Sequence, residues 1–266
     1  MGAVIELAGV DVDPTATINV SERLVIGTDS KVSAGCVIEG RDIEIGNGLW
    51  MLPGAVIGGG SAFEKASVLR AGHYLHMGRD TLINTARAVY IGDEVGLGTG
   101  TKLFTHGAYL SELEGFPVSF GEITIGDRVW LPGATVNPGV DIGDDVVVGV
   151  GSLVLSDIPS GSLAVGTPAK VIREGAYPTR MTDGELLQWW NGFVDAFPDR
   201  HIAERLIFDP KARTISTARS MFFLDLPRKI IGVVDRDSER LRDELRRRGI
   251  RFYASPMDGR YWAWNG

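Results

Sequence analysis

From Ile91 onward the chain keeps a six-residue rhythm. Ile91-Gly92-Asp93-Glu94-Val95-Gly96 leads into Leu97-Gly98-Thr99-Gly100-Thr101-Lys102 and Leu103-Phe104-Thr105-His106. A polar excursion, 107–122, interrupts it. The rhythm resumes at Ile125-Gly126-Asp127-Arg128-Val129-Trp130 and runs through Leu131-Pro132-Gly133-Ala134-Thr135-Val136, Ile142-Gly143-Asp144-Asp145-Val146-Val147 and Val148-Gly149-Val150-Gly151-Ser152-Leu153. Glycine and β-branched residues dominate these blocks, and both disfavour helix interiors. An aliphatic residue every six positions predicts short strands joined by tight corners and stacked in coils, with the aliphatic side chains forming one inner column.

Earlier heads of the same kind are Ile26-Gly27, Ile45-Gly46 and Met77-Gly78. Ile26 to Ile45 is 19 positions and Ile125 to Ile142 is 17, one coil of three short strands. One block recurs almost literally, Met51-Leu52-Pro53-Gly54-Ala55-Val56 after Trp50 and Leu131-Pro132-Gly133-Ala134-Thr135-Val136 after Trp130. Gly58-Gly59-Gly60-Ser61 and the residues to Ala66 read as a small bulge, and 107–122 as a longer loop. Insertions in a solenoid project from it and often build its binding face. The repeat region spans 1–174.

After Glu174 the pattern changes. Gly175-Ala176-Tyr177-Pro178 reads as a linker, and 179–266 as a small α+β domain. Thr182-Asp183-Gly184-Glu185 is a capping box opening a helix that Pro198 ends. Short strands are predicted around 205–208, 214–218, 221–224 and 229–234, a helix over 238–248, a further strand over 250–254, and an edge strand over 261–264. Strand–helix–strand order predicts one parallel pair in this domain.

Composition narrows the function. The 35 glycines compare with about 19 at the usual 7% or so, as many tight corners require. A net charge of −7 argues against a nucleic-acid partner. The single cysteine, Cys36, allows no intrachain disulfide and fits a reducing cytoplasm. No apolar run approaches the roughly 20 residues of a membrane span, and no secretory leader pattern opens the chain. The expectation is a cytoplasmic protein.

The stretch Leu75 to Glu174, and above all Ile125 to Glu174 with Ile158-Pro159, Gly166-Thr167-Pro168-Ala169-Lys170 and Val171-Ile172-Arg173-Glu174, resembles the hexapeptide-repeat acyltransferases. The nearest branch is the maltose, galactoside and capsular-sugar O-acetyltransferases. The resemblance implies a mainly β fold, a left-handed parallel β-helix of three strands per coil, assembled as a homotrimer with active sites between subunits. It further implies acetyl-CoA or another acyl-CoA as co-substrate, and a sugar or glycoconjugate hydroxyl as acceptor, without a metal.

His106 matches the family's catalytic histidine, at the end of a repeat just before the loop. An acceptor hydroxyl is a poor nucleophile until its proton is taken, and neutral imidazole suits that task near neutral pH. Asn84, in Leu82-Ile83-Asn84-Thr85, matches a family asparagine that touches acceptor or oxyanion; a coil-corner residue is the alternative. His73 and His76 are expected beside the acceptor pocket or facing solvent. Trp130, Gly133, Gly151 and Ser152 stand where the resemblance places the pantetheine arm, and Lys170 and Arg173 where it places the CoA phosphates. Leu155-Ser156 and Leu131-Pro132 depart from the family's usual Thr-Lys and Ile-Gly, so the CoA pose or acyl pocket can differ. Three further readings stay open: N-acylation of an amino sugar, a non-catalytic trimeric scaffold, and a hydratase like the γ-carbonic anhydrases with His73, His76 and His106 around a metal. Residues 246–248, all Arg, read as a solvated helix end, and Trp189, Trp190, Trp262 and Trp264 as core rather than a sugar platform.

Overall fold

The structure is a computed structural model that describes residues 3–264. It divides into two compact units, Met1–Pro178 and Thr179–Gly266.

The first unit is mainly β and winds through three faces in turn. On the first face stack Val10–Val12, Ser30–Val32, Trp50–Met51, His76–Met77, Gly96–Leu97, Trp130–Leu131, Val147–Val148 and Leu163–Gly166, in parallel. Thr17–Ile26 and Val37–Ile45 each run across the other two faces, so these faces join as one curled twelve-stranded sheet. On the second face Val37 pairs with Val56, and Leu82 lies between Val56 and Lys102, with Thr135 and Leu153 following. On the third, Glu44 pairs with Arg70, then Tyr90, Thr124 and Asp141.

Two-residue alternation sends one side chain of each short strand inward. Met51, Met77, Leu97 and Leu131 stack on the first face, Ile38, Ile57, Ile83, Leu103 and Val136 on the second, and Ile45, Ile91, Ile125 and Ile142 on the third; all are buried. Cys36 joins this column. Burying each such side chain contributes about 1.5–3 kcal/mol, so the coils hold together as a column rather than through any one layer.

The corner after the third face shows why glycine follows the isoleucine. A Cβ on Gly92 would lie 2.8 Å from the Gly126 carbonyl carbon of the next coil. Beside the glycines runs a ladder of side-chain acceptors. The amide of Thr28 donates to Asn47 Oδ1, Asn47 to His73 Nδ1, His73 to Asp93 Oδ1, Asp93 to Asp127 Oδ1, Asp127 to Asp144 Oδ1 and Asp144 to Ser160 Oγ. Ala71-Gly72-His73 is therefore a repeat head with Ala in the aliphatic place, and Met77-Gly78 belongs to the first face.

The chain between 175 and 178 departs from the linker expectation. Ala176 is buried, and its amide donates to Gly161 O at 2.6 Å, so this stretch finishes the first unit.

In the second unit, α1 (Asp183–Asp195) opens with the capping box, both reciprocal bonds formed between Thr182 and Glu185. α2 (Arg200–Ala203) and α3 (Arg236–Arg246) follow. Ile207–Asp209, Thr214–Ser216, Ser220–Phe223 and Lys229–Gly232 form a four-stranded sheet in chain order, every pair antiparallel. Its core holds Phe193, Ile215, Phe222, Leu241 and Phe252, with Trp189 and Trp190 packed against it. Trp262 is exposed. The expected parallel pair is corrected. Ala254–Met257 pairs antiparallel with Arg260–Ala263 instead. Asp258 and Gly259 both take positive φ, 51° and 74°, the two-residue turn whose twist matches a hairpin.

Candidate active site

Both interruptions of the coil leave at one corner, between the second and third faces. The bulge follows Val56–Gly58, the 107–122 excursion follows Lys102–Leu103, and Thr85 to Ala88 turns the same corner in the coil between them. Asn84 and His106 are thereby brought together, although 22 residues separate them.

Asn84 is buried, as is Thr105. Asn84 Oδ1 accepts from Thr105 Oγ1 at 2.7 Å and lies 2.9 Å from His106 Nδ1. Asn84 Nδ2 donates to Gly58 O at 3.3 Å. The amide orientation follows from its one-way partners: Nδ2 faces the Gly58 carbonyl and Oδ1 faces the Ala86 and Thr105 amides at 3.4 Å, so the carbonyl oxygen also faces the imidazole. An acceptor there requires the ring proton on Nδ1, which leaves the Nε2 lone pair free. Half-buried His106 presents that Nε2 toward Gly60, where an added Cβ would stand 3.7 Å away. A hydroxyl needs to approach Nε2 to about 2.6–3.2 Å to lose its proton to it, and glycine leaves that approach open. The arrangement suits proton abstraction from a small polar group. Asn84 points at the histidine rather than at open space.

His73 Nδ1 accepts the Asn47 amide at 2.9 Å at the corner after the third face. His76 stands on the first face, its ring edge-on to Trp50. Neither histidine shares the corner that carries His106. Among the described residues, no three His, Cys, Asp or Glu side chains converge to hold a metal ion.

The remaining candidates follow the corner between the first and second faces. Trp130 is exposed and lies across Gly96, the residue paired with it. Gly133 donates its amide to Thr101 Oγ1 at 3.0 Å. Gly151 takes φ 71°, with nothing near its Cβ position. Ser152 is buried and its Oγ accepts from Gly166 N at 3.0 Å, so its hydroxyl serves the stack. Lys170 and Arg173 are exposed on Ala169–Arg173, the strand that runs antiparallel to Leu163–Gly166 at the end of the stack. This strip and His106 flank the same second face.

No family model matches the chain. Among curated proteins it is 34% identical over 134 residues to the galactoside O-acetyltransferase of Escherichia coli (strain K12), covering 45% of this chain and 64% of that one. Among solved structures, a hexapeptide-repeat-containing acetyltransferase of Vibrio cholerae with acetyl-CoA matches at 29% identity and a TM-score of 0.39, over 44% of this chain and 63% of that one. A galactoside acetyltransferase in complex with coenzyme A matches at 29% identity and a TM-score of 0.42, over 50% and 64%. The relatives of this chain are hexapeptide-repeat acetyltransferases. The match spans less than two thirds of the first of these relatives. Among the described residues no helix is long and apolar enough to cross a membrane.

Thr105, Phe120 and Arg87 also belong to the corner that carries His106, and the repeat pattern does not mark them. Thr105 Oγ1 also accepts the Arg87 amide at 3.1 Å, tying that corner to the Asn84 network. Phe120 returns from the excursion in register with His106. A hexapeptide count carries no signal for either contact, because both cross from one coil, or one end of a loop, to another.

Proposed function

We propose that this chain is an acyl-CoA-dependent O-acyltransferase that places an acetyl or other short acyl group on a hydroxyl of a sugar or glycoconjugate. His106 is the general base. The observation that carries the reading is the Asn84 carbonyl 2.9 Å from His106 Nδ1, which leaves Nε2 as the proton acceptor on the open side of the ring. The relatives' names support acyl transfer, and the galactoside enzyme among them supports a sugar acceptor.

In this reading Nε2 takes the acceptor hydroxyl's proton as the oxygen attacks the thioester carbonyl carbon. The tetrahedral intermediate then collapses, the C–S bond breaks, and the imidazolium returns the proton to the leaving CoA sulfur. No covalent enzyme intermediate is needed, because the thioester is already activated. A positioned base of this kind contributes roughly 10²–10⁴-fold. Trp130, Gly133 and Gly151 line the pantetheine path, and Lys170 and Arg173 meet the CoA phosphates, whose charge their cations suit. Ser152 braces the path through Gly166. The fold is a left-handed β-helix acting as a homotrimer in the cytoplasm, with a site completed between subunits. The second unit is a separate α+β domain.

The test is thiol release from acetyl-CoA and longer acyl-CoAs against a panel of sugars, with wild type and His106→Ala side by side. The expected result is turnover that falls at least roughly a hundredfold in the variant, with CoA binding intact by calorimetry. Failure of wild type to bind CoA or release thiol with any donor would remove the proposal.

A further inference from the structure

One hydrogen bond does not orient an imidazole. The Nδ1–H bond to Asn84 Oδ1 fixes one axis of the His106 ring, but the ring can still rock about that axis and carry the Nε2 lone pair with it. A second contact is present. The excursion leaves the coil as His106–Gly107 and returns as Ser119–Phe120, an antiparallel pair in which His106 stands opposite Phe120. Directly opposed residues put their side chains on the same face of such a pair. The two rings are accordingly stacked, with centroids 6.0 Å apart and planes 18° from parallel. Gly121 closes the return by donating its amide to Thr105 O at 3.0 Å.

Phe120 is itself held. The Arg87 guanidinium lies 4.3 Å over its ring. Arg87 is fixed in turn by its own corner: Nη1 donates to Ala86 O at 2.7 Å and stands 3.9 Å from Glu64 Oε2, a residue of the bulge. Arg87 thus links the bulge, through Glu64, and the Thr85–Ala88 corner to the aromatic ring of the excursion beside the imidazole. A cation–aromatic contact at such an exposed site is modest in strength.

We propose that Phe120 is a positioning residue for His106, with Arg87 its brace: Asn84 fixes the direction of the imidazole and Phe120 fixes its plane. The catalytic consequence rests on His106 being the base; the restraint on the ring does not.

The test compares Phe120→Leu, Phe120→Tyr and Arg87→Gln in the full chain. Phe120 is 46% exposed, so its replacement leaves the coil stack intact. The first readout is ¹³C relaxation of the His106 ring carbons, which needs no acceptor. The ring order parameter is expected to fall in Phe120→Leu, to fall less in Arg87→Gln, and to match wild type in Phe120→Tyr. The second is steady-state thiol release from acetyl-CoA with the acceptor that wild type turns over fastest in the sugar panel, methyl β-galactoside included. kcat is expected to fall roughly tenfold to a hundredfold in Phe120→Leu, the scale of an ångström-sized misplacement, with KM for acetyl-CoA unchanged and Phe120→Tyr restored. An imidazole as rigid in Phe120→Leu as in wild type overturns the proposal. So does a loosened ring with unchanged kcat, or a rise in acceptor KM alone, which would make Phe120 an acceptor contact. If wild type turns over no acceptor, the acyltransferase reading fails, and the relaxation data still decide whether Phe120 restrains the ring.

Discussion

Replacing Asn84 with Leu tests whether this residue acts through the histidine or on the substrate. Leucine keeps most of the volume and removes both polar atoms. Five bonds go: the one to His106 Nδ1 at 2.9 Å, the Thr105 hydroxyl bond at 2.7 Å, the donation to Gly58 O at 3.3 Å, and the two longer acceptances from the Ala86 and Thr105 amides, each at 3.4 Å. The Thr105 hydroxyl is not orphaned, because the main-chain carbonyl of residue 84 stands 3.1 Å away and survives the change. Gly58 O keeps the Thr85 amide at 3.4 Å. The Ala86 and Thr105 amides do lose their Oδ1 acceptor, so the stability loss should be at most about 1–3 kcal/mol for each of these two buried amides. The catalytic loss is separate from it. With no acceptor at Nδ1, the proton can sit on either nitrogen and the ring can turn, so kcat should fall about a hundredfold, or ~2.7 kcal/mol of barrier. That lies within the 10²–10⁴ span of a general base. The assay is thiol release from acetyl-CoA for wild type, Asn84→Leu, His106→Ala and the double variant. If Asn84 works through His106, the double variant is no slower than His106→Ala, because residues that act as a unit are not additive. A double variant slower than His106→Ala by the whole Asn84→Leu factor would refute the positioning role and return Asn84 to direct contact with acceptor or oxyanion.

Other consequences can be measured without an acceptor. Gly192 lies inside α1 with open space where a Cβ would be, so Gly192→Ala should stabilise the second unit by about 0.5–1 kcal/mol, read as a higher denaturant midpoint; destabilisation would mean the position is not free. Leu103 is fully buried between Ile83 and Val136, three residues before His106, and Leu103→Ala should cost about 2–5 kcal/mol in urea unfolding. Burial pushes the Tyr261 phenol up, with its hydrogen bond to Glu239 at 2.7 Å adding to the shift. The folded chain then keeps a proton that the unfolded chain releases near pH 10. This stabilisation is whole below about pH 10 and declines as pH rises beyond it; Tyr261→Phe should flatten the decline in alkaline unfolding curves, and an unchanged slope would assign it to other groups.

The inner column was legible from the sequence because Ile-Gly heads such as Ile91-Gly92 and Ile125-Gly126 carry both the buried residue and the corner in two letters. Ala71-Gly72-His73 does not stand out in the rhythm because Ala replaces the aliphatic head, although its third residue aligns with Asn47, Asp93, Asp127 and Asp144 as a ladder acceptor. His106 could be singled out by its place before a break in the rhythm. Its link to Asn84 could not, since it depends on how Thr85 to Ala88 turn the corner. Phe120 lies in a stretch with no period at all, and only the antiparallel return shows what it faces. In the second unit the misread pairing came from element order, which suggested a parallel pair, while the local Asp258-Gly259 turn already specified a hairpin.

The acceptor ladder also has a direction in time. Each amide on it is satisfied by a side chain that comes later in the chain, from Thr28 onto Asn47 through to Asp144 onto Ser160. As the polypeptide leaves the ribosome, each finished coil therefore presents a row of donors whose partners are not yet made. The nascent stack always ends on an open parallel edge, the kind of surface that invites pairing with another chain. It stays so until Ala169–Arg173 turns back antiparallel along Leu163–Gly166 and ends the growth on that face. Ribosome pausing inside the repeats should leave a sticky intermediate, whereas pausing once residue 173 has cleared the exit tunnel should leave one whose last coil is already covered there.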